Sequence, residues 1–407
     1  MSKTILSTQP YKGTRDFYPQ ELLKRNYIFD TWRKVLIANG FAEYDTSIIE
    51  NAQMYIIKSG EELGSKQLYS FVDKGDRQIA LRPEMTPTLA RIVSAKFNEL
   101  KKPLRWFSIP NCFRYERPQK GRLREFWQLN ADIIGKEAGA VDLEVLVVIG
   151  KLFLEFGTTK EMFKIMFNHR EVIDIWLKNN QLKTKSALIY KVLDDWYKSS
   201  VEENTQNLSA ELTPTEIQKI INLCAKSGQE WEDYIQIAKT YPEIKLALEL
   251  LPTIMPNVEY DFNPTIIRGL AYYTGLVFEG FNKNPVSPRA MFGGGRYDDL
   301  LDIFGKSAPA IGFGVGDVTW NDFLTEWNLY PDFKNVTHKV GIMPFGIADL
   351  EEIYTKIIPE LVSQNHVYDI DYEYDRNPNK RYETLKKRGC VEVIKIGEKQ
   401  PVIGFHI

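Results

Sequence analysis

The chain has 407 residues, of which 43% are hydrophobic and 26% charged, and its formal net charge at pH 7 is −2. This length predicts one large domain with one or two smaller ones, and the nearly balanced charge excludes a nucleic-acid-binding surface over the whole chain. No stretch is apolar over the 18 or so residues that a membrane span needs, and residues 1–10 lack the apolar segment of a secretory signal. We therefore expect a cytoplasmic protein with no membrane partner.

Cysteine and histidine are rare. Cys112, Cys224 and Cys390 lie far apart and form no CxxC pair, and the four histidines match no catalytic triad or metal motif. The sequence thus predicts neither a zinc site nor a disulfide framework, and we assign no metal ligand and no catalytic histidine.

The N-terminal region predicts a sheet with flanking helices. A helix is expected over 21–38, where Phe29, Trp32 and Leu36 share one face, and Asn39-Gly40 ends it. Runs rich in β-forming residues follow, broken by Gly, Asp or Pro turns. These runs cover residues 41–49, 68–72, 78–81, 105–115 and 126–134. Their spacing predicts an antiparallel sheet, and a second helix over 142–156 is expected to pack on it.

The pattern changes to polar helical segments after residue 160, and strand-like runs resume at 266–279 and 289–292. After a break near 328–337, strand and helix patterns alternate, as in a small βαβ domain. We divide the chain into a first segment of a large domain (1–159), a helical insertion (160–256), a second segment of the large domain (257–328) and a C-terminal α/β domain (337–407).

The most informative segment is FRYERPQKGRLREFWQ at 113–128, in which a loop with five arginines or lysines joins two strand-like runs. Arginine forks suit phosphate oxygens, so this loop is a candidate for contact with a triphosphate or an RNA end. A solvated basic hairpin is the alternative.

In RGLAYYTGLVFE, residues 268–279, Arg268 precedes paired tyrosines within an otherwise apolar strand pattern. A buried arginine needs an anionic partner, which indicates a binding site. If the segment is a strand, Tyr272 and Tyr273 point to opposite faces, so one lines a site and one packs. Aromatic core packing is the alternative for both.

Two glycine-rich segments follow, the loop-like FGGGRYDDLL at 292–301 and APAIGFGVGDV at 308–318. Their glycines would let the backbone approach a flat ligand closely, although a tightly packed core strand is the alternative for the second. Earlier in the chain, Glu84 and Thr86 in LRPEMTPTLAR lie at a strand-to-helix junction. There a helix cap by Thr86 is the alternative to a binding role.

Taken in this order, KGTRDFYP, LRPEMT, FRYERPQKGRLREFWQLNADIIG, RGLAYYTGLVFE, GGGRYDDL and PAIGFGVG resemble the segments of histidyl-tRNA synthetases, a class II aminoacyl-tRNA synthetase family. The resemblance covers nearly the whole chain. It implies an α+β fold: a class II antiparallel sheet with flanking helices, a helical insertion, and a small C-terminal α/β domain that binds the anticodon. It also implies a homodimer that uses ATP and Mg²⁺ to activate L-histidine and then charges tRNA(His).

The resemblance also implies roles for individual residues. Two arginines are implied to be catalytic, Arg114 and Arg268. Histidine contacts are implied for Glu84, Thr86, Arg114, Gln128, Asp132, Arg268, Tyr272, Tyr273 and Tyr297. Among these, Asp132 and Tyr273 read the imidazole. ATP contacts are implied for Arg114, Glu116, Arg122 and Arg268. Contacts with the tRNA acceptor end are implied for Arg117, Gln119 and Arg122.

Three positions depart from the family pattern: Ser47 replaces a proline of motif 1, Ala271 replaces an acid, and Asp317-Val318 replaces the Glu-Arg of motif 3. The arginine expected to stack on adenine is therefore missing. Ala271 and Asp317 favour an alternative function, a synthetase-like regulatory subunit of ATP phosphoribosyltransferase, which binds histidine without charging tRNA. The intact basic loop and the C-terminal domain argue against it. A pure RNA-binding module would leave the histidine-specific segments unexplained.

The C-terminal domain is expected to be shortened, since the sequence ends at Ile407. One helix in it carries a cluster of basic residues, namely Lys380, Arg381, Lys386, Lys387 and Arg388. Either contact with RNA or a solvated basic helix accounts for this cluster.

Overall fold

The computed structural model describes residues 6–58, 66–267, 273–285, 290–333 and 338–396, and it divides into two compact units, 1–329 and 330–407. The helices of the first unit are α1 Pro19–Ala38, α2 Ala52–Lys58, α3 Thr86–Ala95, α4 Ala140–Glu155, α5 Arg170–Asn179, α6 Ser186–Asp194, α7 Val201–Leu208, α8 Pro214–Cys224, α9 Gly228–Ala238, α10 Pro242–Ile254 and α11 Asp317–Glu326. Its strands are β1 Ala42–Glu43, β2 Ile49–Asn51, β3 Ser70–Val72, β4 Gln78–Leu81, β5 Leu104–Ser108, β6 Asn111–Phe113, β7 Glu125–Ile134, β8 Phe163–His169, β9 Tyr260–Phe262, β10 Leu276–Asn282, β11 Ala290–Arg296 and β12 Ala310–Gly316.

The central sheet has the strand order β1-β5-β7-β12-β11-β10-β8-β9, and β6 pairs with one end of β7. The pairs from β5 to β8 are antiparallel, which confirms the expected antiparallel sheet. The outermost pairs, β1 with β5 and β8 with β9, are parallel. A separate small sheet has the order β2-β4-β3.

One face of the central sheet, here called the core face, is covered by helices. On β7 it carries Leu129, Ala131 and Ile133, all of them buried. Aromatic rings of α1, α4 and α11 meet above it: the ring centroid of Trp320 lies 5.7 Å from that of Trp32 and 4.6 Å from that of Phe153. Side chains alternate along a strand, so Gln128, Asn130 and Asp132 of β7 point to the opposite face, here called the site face.

Several strands differ from the sequence expectation for identifiable reasons. The run 105–115 is interrupted at Pro110, which has no backbone N–H to donate to a ladder, and it forms β5 and β6. The expected strand over 41–49 is reduced to β1 and the first residue of β2. The three glycines Gly293–Gly295, expected in a loop, lie inside β11.

The second unit contains a parallel sheet with the order β14-β13-β15. Its elements are β13 Lys339–Met343, α12 Leu350–Glu352, a π-helical turn Ile353–Ile357, α13 Ile358–Ser363, β14 Val367–Ile370, α14 Pro378–Lys387 and β15 Glu392–Lys395. This arrangement agrees with the expected βαβ domain.

Arg381 does not belong to an exposed basic surface, contrary to its place in the predicted cluster. It is 1% exposed, and its Nε donates to Asp371 Oδ2 at 2.5 Å while Nη2 donates to the carbonyl of Pro344. A buried charge needs such a partner. The other basic residues of the cluster, Lys380, Lys386, Lys387 and Arg388, are exposed.

The three cysteines are free and buried. Within the residues that the structure describes, no helix combines the length and apolarity that a bilayer crossing requires.

Candidate active site

The site face is built around a row of residues that strand pairing places side by side. Asp132 of β7 pairs with Gly312 of β12, and Gly312 pairs in turn with Gly295 of β11. A Cβ atom on Gly312 would overlap the carboxylate of Asp132, and one on Gly295 would lie 2.8 Å from the ring of Tyr273. The glycines therefore make room for side chains of the site itself, in addition to any ligand.

Asp132 and Tyr297 form a buried pair, although they are 165 positions apart in the chain. The Tyr297 hydroxyl donates to Asp132 Oδ1, and Tyr297 and Asp132 are 2% and 3% exposed respectively. Tyr273 and Tyr297 both belong to an apolar cluster with Leu89 and Val93 of α3. Burial raises the pKa of Asp132 to about 7, against the opposing effect of the Tyr297 hydrogen bond.

Two amide side chains lie further along the same face. Gln128 Nε2 donates to Asn130 Oδ1 at 2.6 Å. Both groups lie beside Gly314, where a Cβ would overlap the Gln128 amide and lie 3.2 Å from Asn130 Oδ1. Asn130 is 4% exposed. It was not among the residues expected at the site. The sequence nevertheless contains an indication. Asn130 lies two positions from both Gln128 and Asp132, and alternate residues of a strand share one face.

The junction that carries Glu84 and Thr86 is held next to the basic segment. Phe113 donates its backbone N–H to the carbonyl of Arg82 at 2.9 Å, and Arg114 Nε donates to the carbonyl of Pro83 at 2.9 Å. Glu84 is 4% exposed. Thr86 is the first residue of α3, and the N-cap position is occupied by Met85, whose side chain makes no cap hydrogen bond. Thr86 is therefore not the N-cap residue of this helix.

A cavity of about 330 Å³ adjoins this row. Its lining comprises Gln67, Arg114, Glu116, Gly121, Arg122, Leu123, Phe126, Gln128, Met291, Gly316, Val318 and Thr319. The Arg114 guanidinium lies 5.0 Å from the centre of the Phe126 ring, and an Arg122 nitrogen lies 3.8 Å from Glu116 Oε2. Arg114, Glu116, Arg122 and Gln128 are thus brought together around a space of the size that small-molecule ligands fill.

Val318 lines this cavity where the motif 3 arginine was expected, and the preceding Asp317 has a structural partner. Asp317 is 3% exposed, accepts from Arg15 Nη2 at 2.7 Å, and accepts from the backbone N–H of Trp127 at 2.9 Å. Burial raises the pKa of its carboxyl, and the positive charge of Arg15 opposes that shift. Arg15 belongs to the opening KGTRDFYP, so Asp317 at the start of α11 connects that opening to Trp127 of β7.

The loop between β6 and β7 forms a hairpin whose tip is exposed. Gln119 and Arg122 exchange two backbone hydrogen bonds of 3.0 and 2.9 Å, and the side chains of Arg117, Gln119 and Arg122 are exposed to solvent. Arg268 and Tyr272 lie outside the described residues.

Among the described residues, no group of three or more His, Cys, Asp or Glu side chains could hold a metal ion. The site is therefore described by its arginines, carboxylates, amides and tyrosines.

An antiparallel sheet with a basic hairpin, an arginine-lined cavity and a glycine-rich strand defines the catalytic domain of a class II aminoacyl-tRNA synthetase. The family model described as Histidyl-tRNA synthetase matches residues 13–316. The chain is 40% identical to the histidine–tRNA ligase of Leptospira biflexa over 347 residues, which are 83% of this chain and 78% of that protein. The chain thus belongs to the histidyl-tRNA synthetase family.

Solved structures share the fold. The histidyl-tRNA synthetase of Nostoc sp. PCC 7120 matches with a TM-score of 0.77 and 21% identity, over 96% of this chain and 91% of that one. An ATP phosphoribosyltransferase regulatory subunit/histidyl-tRNA synthetase from Bacillus halodurans matches with a TM-score of 0.74 and 21% identity, over 97% and 99%. The structural likeness therefore does not separate the two functions, whereas the sequence relatives carry the ligase name.

Proposed function

We propose that the protein is a histidine–tRNA ligase, which activates histidine with ATP to histidyl-adenylate and transfers it to the 3′ end of tRNA(His). One observation carries this proposal. The buried Asp132–Tyr297 pair and Gln128 lie on one sheet face, and Gln128 also lines the cavity with Arg114 and Glu116. A polar pocket that continues into a nucleotide-sized cavity suits the joining of an amino acid to ATP.

The histidine end selects its substrate through buried polar groups, because a wrong side chain would leave them unpaired. Asp132 accepts from a ring N–H of histidine, and Tyr273 and Tyr297 complete the surroundings of the ring. The α-ammonium group is a donor only, and it is held by Glu84, Thr86 and Gln128. Tyr272 is also assigned to this end by the family resemblance.

At the ATP end, an oxygen of the histidine carboxylate attacks the α-phosphorus, the bond to the β-phosphate oxygen breaks, and pyrophosphate leaves. Two anions must approach each other, so fixed guanidinium groups stabilise the charge that develops. We assign this catalytic role to Arg114 and, from the resemblance, to Arg268. Mg²⁺ enters with ATP as part of the substrate, since it binds phosphate oxygens. Glu116 accepts from the adenine amino group, and Arg122 adds positive charge.

In the second step, the terminal ribose hydroxyl of tRNA attacks the carbonyl carbon of the adenylate, and AMP leaves. Arg117, Gln119 and Arg122 are assigned to the acceptor end. The exposure of these side chains on the hairpin tip supports that assignment, because they can reach RNA without occupying the histidine pocket.

The alternative of a histidine-binding regulatory subunit is not better supported. It rested partly on Asp317, and the ion pair of this residue with Arg15 gives the departure a structural use that does not require loss of catalysis. The curated relatives at 34–40% identity, including those of Leptospira biflexa and Pyrococcus abyssi, are named histidine–tRNA ligases.

We also propose a homodimer in which β2, β3 and α2 meet the second subunit. These elements expose large apolar side chains, including Ile49, Ile56, Ile57, Phe71 and Val72. Exposed apolar surface of this kind marks an interaction site. Within the expected helical insertion at 160–256, the residues Phe163–His169 form β8 of the central sheet, so the helical segment that we propose begins at α5. The anticodon-binding role of 337–407 and a cytoplasmic location are further proposals that rest on the sequence.

The test is histidine-dependent exchange of labelled pyrophosphate into ATP, followed by charging of tRNA(His). We expect exchange with histidine and none with other amino acids. Histidine binding without exchange at any Mg²⁺ concentration would instead establish the regulatory function.

A further inference from the structure

Asn130 occupies the middle of the site face, and the family resemblance assigns it no role. Its Oδ1 accepts from Gln128 Nε2 at 2.6 Å, and the residue is 4% exposed. Its own Nδ2 is buried and finds no acceptor among the residues that the structure describes. A buried donor without a partner is costly, which points to a ligand as the missing acceptor.

The hydrogen bond fixes the direction of the Gln128 side chain. A primary amide has a donor end and an acceptor end, and both ends have nearly the same shape. Because Nε2 of Gln128 is turned to Asn130, the acceptor Oε1 occupies the opposite end of the same planar group. The reverse orientation would present an N–H to a positively charged substrate group and would repel it.

We propose that Asn130 is a positioning residue for histidine: it holds the Gln128 amide with Oε1 toward the α-ammonium group of the substrate. The inference rests on the proposed function for the identity of the amino acid. Gly314 makes the arrangement possible, because a Cβ there would overlap the Gln128 amide and lie only 3.2 Å from Asn130 Oδ1. Nδ2 of Asn130 is left for an acceptor on the same substrate, which histidine has in its carboxylate and in its unprotonated ring nitrogen.

A double-mutant cycle tests this role. Asn130→Leu keeps the size of the side chain and removes its hydrogen bond, so the Gln128 amide can rotate. We expect the histidine KM to rise about tenfold, the value of one hydrogen bond of about 1.4 kcal/mol, with the ATP KM unchanged. Gln128→Glu presents an oxygen at both ends of the group, so its direction no longer matters. In that background Asn130→Leu removes only the contact of Nδ2 with the substrate, so the rise in the histidine KM should be at least about threefold smaller than in the wild-type background.

Equal effects of Asn130→Leu in the two backgrounds would mean that Asn130 only supports the fold, and would overturn the inference. A fall in kcat with an unchanged histidine KM would overturn it as well. The same cycle measured by calorimetric histidine binding does not depend on catalysis. Loss of pyrophosphate exchange in the wild-type protein therefore refutes the proposed function alone, and additive binding effects refute the inference alone.

Discussion

The two faces of the central sheet are made by the same strands and differ in what fills them. On β12, Phe313 and Val315 point to the core face, while Gly312 and Gly314 lie on the site face. The core face is filled by large side chains that pack under helices. On the site face β12 has no side chains at its centre, and polar groups of the neighbouring β7 lie across it.

This difference shows how the sheet makes room for chemistry. Along the centre of β12, large apolar side chains alternate with glycines. In a strand with one solvated face, apolar side chains would instead alternate with polar ones. The space vacated by Gly312 and Gly314 is taken by Asp132 and by the Gln128 amide. The candidate active site therefore depends on the missing side chains of Gly312 and Gly314, whereas Phe313 and Val315 of the same strand fill the core face.

The largest expected effect on the site face is that of Gly312→Ala. The new Cβ would overlap the Asp132 carboxylate, which must then move away from its place beside Tyr297. A displacement of about 1 Å in such a site costs roughly 100-fold in rate. We expect kcat/KM for histidine to fall by about that factor in pyrophosphate exchange. The melting temperature should fall as well, because the new Cβ would lie 2.9 Å from the backbone oxygen of Ala131.

Gly346→Ala is the matched control for this substitution, because its Cβ would meet nothing within 4 Å. It should leave exchange unchanged. A Gly312→Ala enzyme of normal histidine kinetics would show that Asp132 does not read the substrate.

The adjacent residue tests the opposite face. Phe313 is 4% exposed and lies on the core face, one position from Gly312. Phe313→Ala should lower the free energy of unfolding by about 3–5 kcal/mol, because it leaves a cavity in a packed core. Denaturant unfolding measures this loss. The histidine KM of the folded fraction should stay near the wild-type value, and a large rise would mean that the two faces are coupled.

The separation of the faces was only partly predictable from the sequence. The order of motifs identified Asp132, Tyr297 and Gln128, since the family resemblance carries those residues. The motifs alone do not show which side chains of β7 lie over the glycines of β12. That depends on the register between these two strands, which are distant in sequence. Asn130 was missed for the same reason.

The burial of Arg381 depends on a partner that is distant in the chain. A run of basic residues suggested one exposed surface, yet Arg381 lies four positions before the buried Leu385, and i and i+4 share a helix face. The helical spacing of Arg381 and Leu385 thus indicated that Arg381 faces the core of its domain. The partner that makes burial possible, Asp371, follows a separate strand, and only the tertiary structure brings it within reach.

A smaller effect comes from the ionisation of Asp132. Its pKa is raised to about 7 by burial, so the carboxylate that we propose accepts from the histidine ring is about half ionised at pH 7. If only the ionised form accepts, histidine affinity should rise about tenfold between pH 6 and pH 8 and then level off. Calorimetry at several pH values measures the rise. Asp132→Asn is the control: the titration of free histidine still affects binding, but the tenfold rise in affinity that comes from ionisation of Asp132 should be absent.

The same pKa has a consequence for stability, with a defined sign. The folded protein keeps the proton of Asp132 up to about pH 7, whereas the unfolded chain releases it near pH 4. Between these values the native state binds more protons, so the contribution of Asp132 makes stability fall as pH rises from about 4 to about 7. Asp132→Asn should remove that component. An unchanged pH dependence of unfolding would place the Asp132 pKa near its ordinary value.

The smallest expected effect lies off both faces, at the exposed hairpin tip. Gln119→Ala removes an exposed side chain that belongs neither to the site face nor to the core face. It should therefore change neither the rate of pyrophosphate exchange nor the free energy of unfolding. If Gln119 contacts the acceptor end, charging of tRNA should slow by about five- to tenfold, the loss of one hydrogen bond of about 1–1.5 kcal/mol. The exposed Gln20→Ala at the start of α1 is the matched control and should leave charging unchanged. Equal slowing of exchange and charging by Gln119→Ala would mean that the hairpin supports ATP and belongs functionally to the site face.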